Sequence, residues 1–281
     1  MLTSITLGDG SVPHDPESLT SEAQLAEQYG TDANLSARIQ LHQRFSTNPN
    51  NWSRWLFDQF DLSANAAILE LGCGRGDLWS ENRDRIDHSW HITLTDRSPG
   101  MLDATRKRLS PAISGLRFDV VDAQEIPFDD SVFDVVIANH MLYHVPDRPR
   151  AFQQIRRVLR PSGHFYAATN GLGHLRELFA LIDRHTASQA PSQRPIDFSL
   201  NDGAAQLEPW FEYVTRRDFP DALEVTEVEP LIAYITSTSA KPYLDASRRS
   251  ALEYEIAEMI ANEGPIRISK EGGLFICEKA L

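Results

Sequence analysis

Three glycines at alternate positions, Gly72, Gly74 and Gly76, follow the apolar run Ile68-Leu69-Glu70-Leu71. A turn of this kind brings backbone N–H groups into contact with a ligand, because no side chain stands between them. A helix-like segment begins after Gly76, and helix N-termini attract polar or anionic groups. Two carboxylates each end a later apolar run, Asp96 after residues 90–95 and Asp122 after residues 116–121. Asp96 lies 20 residues past Gly76, where a carboxylate can accept hydrogen bonds from ribose hydroxyls. The run 133–138 opens into Asn139-His140-Met141-Leu142-Tyr143-His144. His140 and His144 can take a proton near neutral pH, and Tyr143 adds a hydroxyl between them.

These groups need elements to position them. Short buried strands alternating with helical segments predict an α/β sheet, with the glycine turn joining its first strand to a helix. Residues 1–21, rich in Gly, Pro, Asp and Ser, read as a flexible arm. Residues 22–62 read as an N-terminal helical cover. Leu25, Tyr29, Leu35, Ile39 and Phe45 recur at helical spacing, and Trp52, Trp55, Leu56 and Phe60 share a second face. Arg38 and His42 lie four apart on one face of the first cover helix. Residues 63–281 form the main domain, with an insertion at about 171–215 expected to act as a lid. Phe219-Pro220 and Leu223-Glu224-Val225 suggest an irregular strand pair, and residues 266–277 suggest a hairpin turning at Glu271-Gly272.

Composition removes several classes. The 281 residues carry 40 acids against 27 bases, a formal charge of −13. That balance repels nucleic acid and anionic membranes. No apolar run approaches the ~20 residues of a membrane span, and the N-terminus lacks a secretory pattern. Cys73 and Cys277 do not make a disulfide framework. A cytoplasmic chain, monomeric or homodimeric, is the expectation. His140 and His144 are spaced like a metal pair, but H-E-x-x-H is absent, so no metal is expected.

The pattern E-x-G-x-G-x-G at Glu70–Gly76 resembles the first motif of class I S-adenosylmethionine (SAM) methyltransferases. Asp96, Asp122-Ala123 and Arg160-Pro161-Ser162-Gly163 resemble three further marks of that family in the same order, Ser162 replacing a glycine. The resemblance spans residues 68–170. It implies a Rossmann-like, seven-stranded, mostly parallel sheet with an antiparallel last strand. It also implies SAM as cofactor and S-adenosylhomocysteine as product. On the resemblance, Gly72, Cys73 and Gly74 cradle the cofactor, and Asp96 and Arg97 meet its ribose. Met101 lines the adenine site, and Asp122, Ala123 and Gln124 hold the adenine edge. Glu70, Asn139, His140, Arg38 and Tyr29 complete the set, Tyr29 lying on the methionine arm.

Transfer from a sulfonium needs alignment and exclusion of water, with a base only when the nucleophile carries a proton. His140, Tyr143 and His144 are the catalytic candidates, acting on a small-molecule acceptor through N, O or C in secondary or cofactor metabolism. An NAD dehydrogenase would want G-x-G-x-x-G, and an aminopropyl transferase would want acids in place of Asn139-His140. A nucleic-acid methyltransferase would want N-P-P-Y there. A protein methyltransferase and a non-catalytic SAM-binding protein stay open. Trp52, Trp55, Phe198, Trp210, Phe211 and Tyr213 suggest an apolar or aromatic acceptor, or simply a core.

Overall fold

The computed structural model describes residues 32–186 and 197–280. The arm 1–21, residues 22–31 of the cover with Tyr29, and the loop 187–195 lie outside the described residues. Seven strands form one sheet: β1 (Ala67–Leu71), β2 (His91–Asp96), β3 (Arg117–Val120), β4 (Phe133–Asn139), β5 (Leu159–Asn170), β6 (Tyr213–Val225) and β7 (Ile266–Glu278). Their order is β3-β2-β1-β4-β5-β7-β6. Strands β1 to β5 pair in parallel, and β7 runs antiparallel to both its neighbours. This is the Rossmann-like, seven-stranded architecture that the resemblance implies.

The central strands are continuously apolar because both faces of the sheet are covered. Leu69, Leu71, Val136, Ala138, Phe165 and Ala167 face one way, against α5 (Arg148–Val158). Ile68, Ile92, Leu94, Ile137 and Tyr166 face the other. There they meet α2 (Trp52–Phe57), α3 (Asp77–Glu81) and α4 (Pro99–Leu109). Strand order reverses between β1 and β4, since β2 and β3 lie on one side and β5 on the other. In open α/β sheets the ligand crevice sits at the carboxyl ends of the strands at such a reversal. Gly72 and His140, the residues after β1 and β4, stand at its two lips.

The C-terminal third departs from the sequence expectation. Residues 266–278 are one straight strand rather than a hairpin, and 213–225 is one strand rather than an irregular pair. The two pair with each other along their whole length. Pro220 misled the reading; it sits on β6, an edge strand, where a missing N–H is tolerated. Glu271-Gly272, the expected turn, instead continues into Gly273 within β7. A side chain on Gly273 would stand 2.7 Å from the Arg217 carbonyl, and one on Gly272 would press Trp52 at 3.3 Å.

Strand β5 pairs with β7 only from Gly272 to Glu278. The remaining halves of β6 and β7 therefore project as a two-stranded ribbon past the carboxyl end of β5. A separate apolar core, with Leu223, Val225, Ile266 and Ile268, fixes this ribbon to α1 (Asp32–Phe45), α6 (Arg176–Thr186), α8 (Val228–Thr236) and α9 (Ala246–Glu263). Phe198, Leu200 and Phe211, flanking α7 (Gly203–Leu207), are buried against the main sheet instead. That part of the expected lid is core.

Candidate active site

The glycine turn uses its three glycines differently. Gly72, Gly74 and Gly76 all have positive φ, at 67°, 53° and 70°, which other residues adopt only under strain. A Cβ on Gly72 would lie 2.8 Å from Met141 Cβ, and one on Gly76 would lie 2.7 Å from Leu109. Those two glycines are needed for packing. A Cβ on Gly74 would meet nothing nearer than Met101 Cε at 4.0 Å, so it would point into open space. That space belongs to a cavity of about 1420 Å³, above the ~300–1,000 Å³ usual for one small ligand.

Each carboxylate of the cofactor set is held by its own turn. Asp96 accepts from Gly74 N–H at 3.0 Å and from Ser98 N–H at 2.8 Å, one oxygen each. Asp122 Oδ1 accepts from the backbone N–H of Gln124 at 2.8 Å, and the Gln124 side-chain amide reaches both its oxygens. Gln124 also accepts from Asp147 N–H through Oε1, so its side chain positions Asp122. Glu70 is buried on the α3 side of β1, where Trp79 Nε1 donates to it at 2.6 Å. Burial raises its pKa to about 7, the Trp79 hydrogen bond opposing. Cys73 packs its side chain into the core, and burial pushes its thiol pKa well up. Of the cradle at Gly72–Gly74, Cys73 thus offers backbone only.

Asp96, Arg97, Met101, Asp122, Ala123, Asn139, His140, Tyr143 and His144 all line the same cavity. Arg38 lines it too, but its guanidinium donates to the carbonyl and hydroxyl of Ser237 at 2.5 and 3.0 Å. Ser237 ends α8, so Arg38 belongs to the ribbon side of the cavity. Of the six aromatic residues named as acceptor contacts, Trp52 alone lines the cavity. Its indole donates to Asn139 Oδ1 at 3.2 Å and packs 5.0 Å from the His140 ring.

The ribbon and the elements beside it supply groups the sequence reading missed: Asp221 and Lys270 from the ribbon, His174 after β5 and Tyr234 on α8. Lys270 pairs with Asp221, whose side chain is fully buried. Asp221 also accepts from Ser46 Oγ at 2.6 Å and from the N–H groups of Thr47 and Asn48, both at 3.1 Å. His42 stacks on His174 at 6.2 Å and meets Tyr234 edge-on at 6.0 Å. Burial, then Lys270, lowers the pKa of His42 to about 3 and that of His140 to about 4. His174 is lowered as well, by burial and then by His42. All three imidazoles are neutral at pH 7. Each remains partly accessible, because one edge faces the cavity. No register pattern in the sequence brings His42, His140, His174 and Lys270 together; the projecting ribbon does so.

Residues 69–167 match a family model described as a methyltransferase domain. Over that span the chain is similar to a methyltransferase domain. It is 32% identical over 114 residues to the ubiquinone/menaquinone biosynthesis C-methyltransferase UbiE of Idiomarina loihiensis, covering 40% of this chain and 45% of that one. The chain thus spans about half the length of the curated relatives it matches. Among solved structures it resembles phosphoethanolamine N-methyltransferase 2 of Haemonchus contortus, crystallised with S-adenosyl-L-methionine. The TM-score is 0.58 at 18% identity, over 97% of this chain and 61% of that one. The [4+2]-cyclase SpnF has the same fold, with a TM-score of 0.56 at 14% identity, over 93% of this chain and 97% of that one. Class I methyltransferase folds therefore host other reactions, and the chemistry must be argued from the site. Among the described residues, no cluster of three or more His, Cys, Asp or Glu could hold a metal ion. None of their helices is long and apolar enough to cross a membrane.

Proposed function

We propose that this protein transfers a methyl group from SAM to a small-molecule acceptor. One observation carries the reading. A single cavity runs from the glycine turn, where the Gly74 position opens into it, to the polar chamber under the ribbon. It has room for a cofactor and a second molecule. Gly72 and Gly74, with Asp96, Asp122 and the Ala123 N–H, would hold the nucleoside. The donors there suit it: carboxylates for ribose hydroxyls and an adenine amino group. SAM supplies an activated methyl on sulfur when bound.

The chain's own residues then do the rest. Trp52 fixes Asn139 and His140 at the junction of the two halves of the cavity. The α1–α2 cover and the ribbon exclude water from that junction. The described part of the cover, residues 32–62, closes over the cavity, and Tyr143 and His144 border the same space. His140 is the catalytic candidate nearest the chamber's histidines. The acceptor belongs to secondary or cofactor metabolism, the second being where the Idiomarina relative is named. The protein works in the cytoplasm as a monomer or homodimer.

Incubation with SAM and a metabolite extract tests the reading. S-adenosylhomocysteine should form only when extract is present, and mass spectrometry should find one metabolite heavier by a methyl group. SAM left intact with every fraction would refute transfer and favour a binding protein.

A further inference from the structure

The acceptor half of the cavity is chemically unlike the cofactor half. The glycine-turn end presents the acids Glu70, Asp77, Glu81, Asp96 and Asp122 together with Arg75, Arg97 and Arg108. The ribbon end presents Lys270, Arg38, His42, His140 and His174, with Asp221 as its acid. Asp221 has no accessible side-chain surface and is saturated by donors, whereas Lys270 keeps some exposure toward the cavity. Arg38 forms no ion pair among the described residues; it bonds only Ser237. Lys270 and Asp221 balance each other and the three histidines are neutral, so Arg38 leaves this end with one net positive charge, in a protein whose overall charge is −13.

Two polar atoms there lack partners. Nδ1 of His42 and Nδ1 of His140 are buried and bond nothing among the described residues. A buried polar atom without a partner costs about 1–3 kcal/mol, so both imidazoles gain when a ligand in the chamber lets their rings turn to meet it. His174 accepts from Glu271 N–H through Nδ1 at 3.2 Å, which leaves its proton on Nε2. The walls are flat and apolar: Trp52 and Phe219 meet edge-on at 5.4 Å, and Lys270 lies 5.8 Å over the Phe219 ring.

We propose that the chamber of His42, His140, His174 and Lys270 binds an acceptor with a weakly acidic hydroxyl on a flat ring, and takes it as the anion. The proposal rests on the acceptor reading above. Neutral imidazoles act as N–H donors to the oxyanion, and the Lys270 ammonium supplies the opposite charge, as in other preorganised oxyanion sites. The ring lies against Trp52 and Phe219. On binding, the O–H bond breaks, its electron pair stays on oxygen, and the proton leaves to bulk water. The site thus delivers an activated nucleophile although its histidines, held neutral by burial and by Lys270, are weak bases when it is empty. The groups that set this balance are Lys270, Arg38, Asp221, Tyr234 and the three histidines.

The probe is 4-nitrophenol, whose anion absorbs visible light. It is titrated into the full-length protein with S-adenosylhomocysteine present, across pH 5.5–9, a span of roughly two units on either side of neutrality. The bound probe should ionise at least about one pH unit below the free phenol, a tenfold gain in anion affinity. His140→Phe should reduce that gain about tenfold, as loss of a hydrogen bond to a charged group does. His42→Leu supplies the same reading should the first variant fail to fold. Calorimetry with S-adenosylhomocysteine alone, in the same variants, reports the cofactor half separately, so failure there indicts the methyltransferase reading and not this one. An unshifted midpoint for the bound probe, or a shift that survives both substitutions, would overturn the proposal. So would benzoate displacing the probe with higher affinity, which would make the chamber a carboxylate site.

Discussion

Alanine placed at each of the three turn glycines in turn should separate folding from binding. All three have positive φ, and a left-handed L-residue costs about 1–2 kcal/mol. At Gly76 the new methyl would also collide with Leu109 and Thr105 at 2.7 and 2.8 Å, and at Gly72 with Met141 at 2.8 Å. Overpacking of that kind costs roughly 1–3 kcal/mol more. The expected losses of stability are therefore about 2–5 kcal/mol at Gly72 and Gly76 but only about 1–2 kcal/mol at Gly74. Binding should rank the other way. The Gly74→Ala methyl enters the space where the nucleoside would lie, and a misfit of that size costs about 1–3 kcal/mol, or 5- to 150-fold in Kd. Urea unfolding gives the first ranking and calorimetry with S-adenosylhomocysteine the second. Gly74→Ala binding like the parent, in a folded protein, would refute the placement of the ligand over the turn.

Asp96→Ala should weaken S-adenosylhomocysteine by about 1–3 kcal/mol and also loosen the turn, since Gly74 N–H loses its acceptor; calorimetry reads the first effect and hydrogen exchange at Gly74 the second. Glu70→Gln should stabilise the ligand-free protein at high pH. The folded pKa of Glu70 is raised to about 7, so the stability it contributes is full below the unfolded value and is lost as pH rises through 7. The substitution should gain about 2–3 kcal/mol above pH 8 and little at pH 4.5 in urea titrations. The histidines act in the opposite direction. Their folded pKa values are depressed, to about 3 for His42 and about 4 for His140. Stability present above pH 6.5 is thus lost as pH falls, by about 1–2 kcal/mol for each between pH 6.5 and 5. His42→Leu should flatten that acid limb, and an unchanged limb would show that His42 is solvated.

The cofactor half of the site was legible in the sequence, and the acceptor half was not. Gly72–Gly76, Asp96 and Asp122 belong to single strand–turn units, so local spacing places them at the carboxyl ends of β1, β2 and β3. Ser162 shows the same logic at a turn: its φ of 59° marks the position where the related motif has glycine. The chamber instead joins His42 of α1, His140 after β4, His174 after β5, and Lys270 of β7. That meeting depends on the β6–β7 ribbon, which Pro220 disguised as an irregular strand pair and Glu271-Gly272 as a hairpin turn. Aromatic content also misdirected the reading, because Phe198 and Phe211 satisfy the main core, and of the six aromatic residues named only Trp52 lines the cavity.

The central claim, a SAM site over the glycine turn, is tested most directly by calorimetric titration of the purified protein with S-adenosylhomocysteine and, separately, with NAD. The account predicts one saturable site for S-adenosylhomocysteine and no heat of binding for NAD. Saturable binding of NAD, or none of S-adenosylhomocysteine, would contradict it.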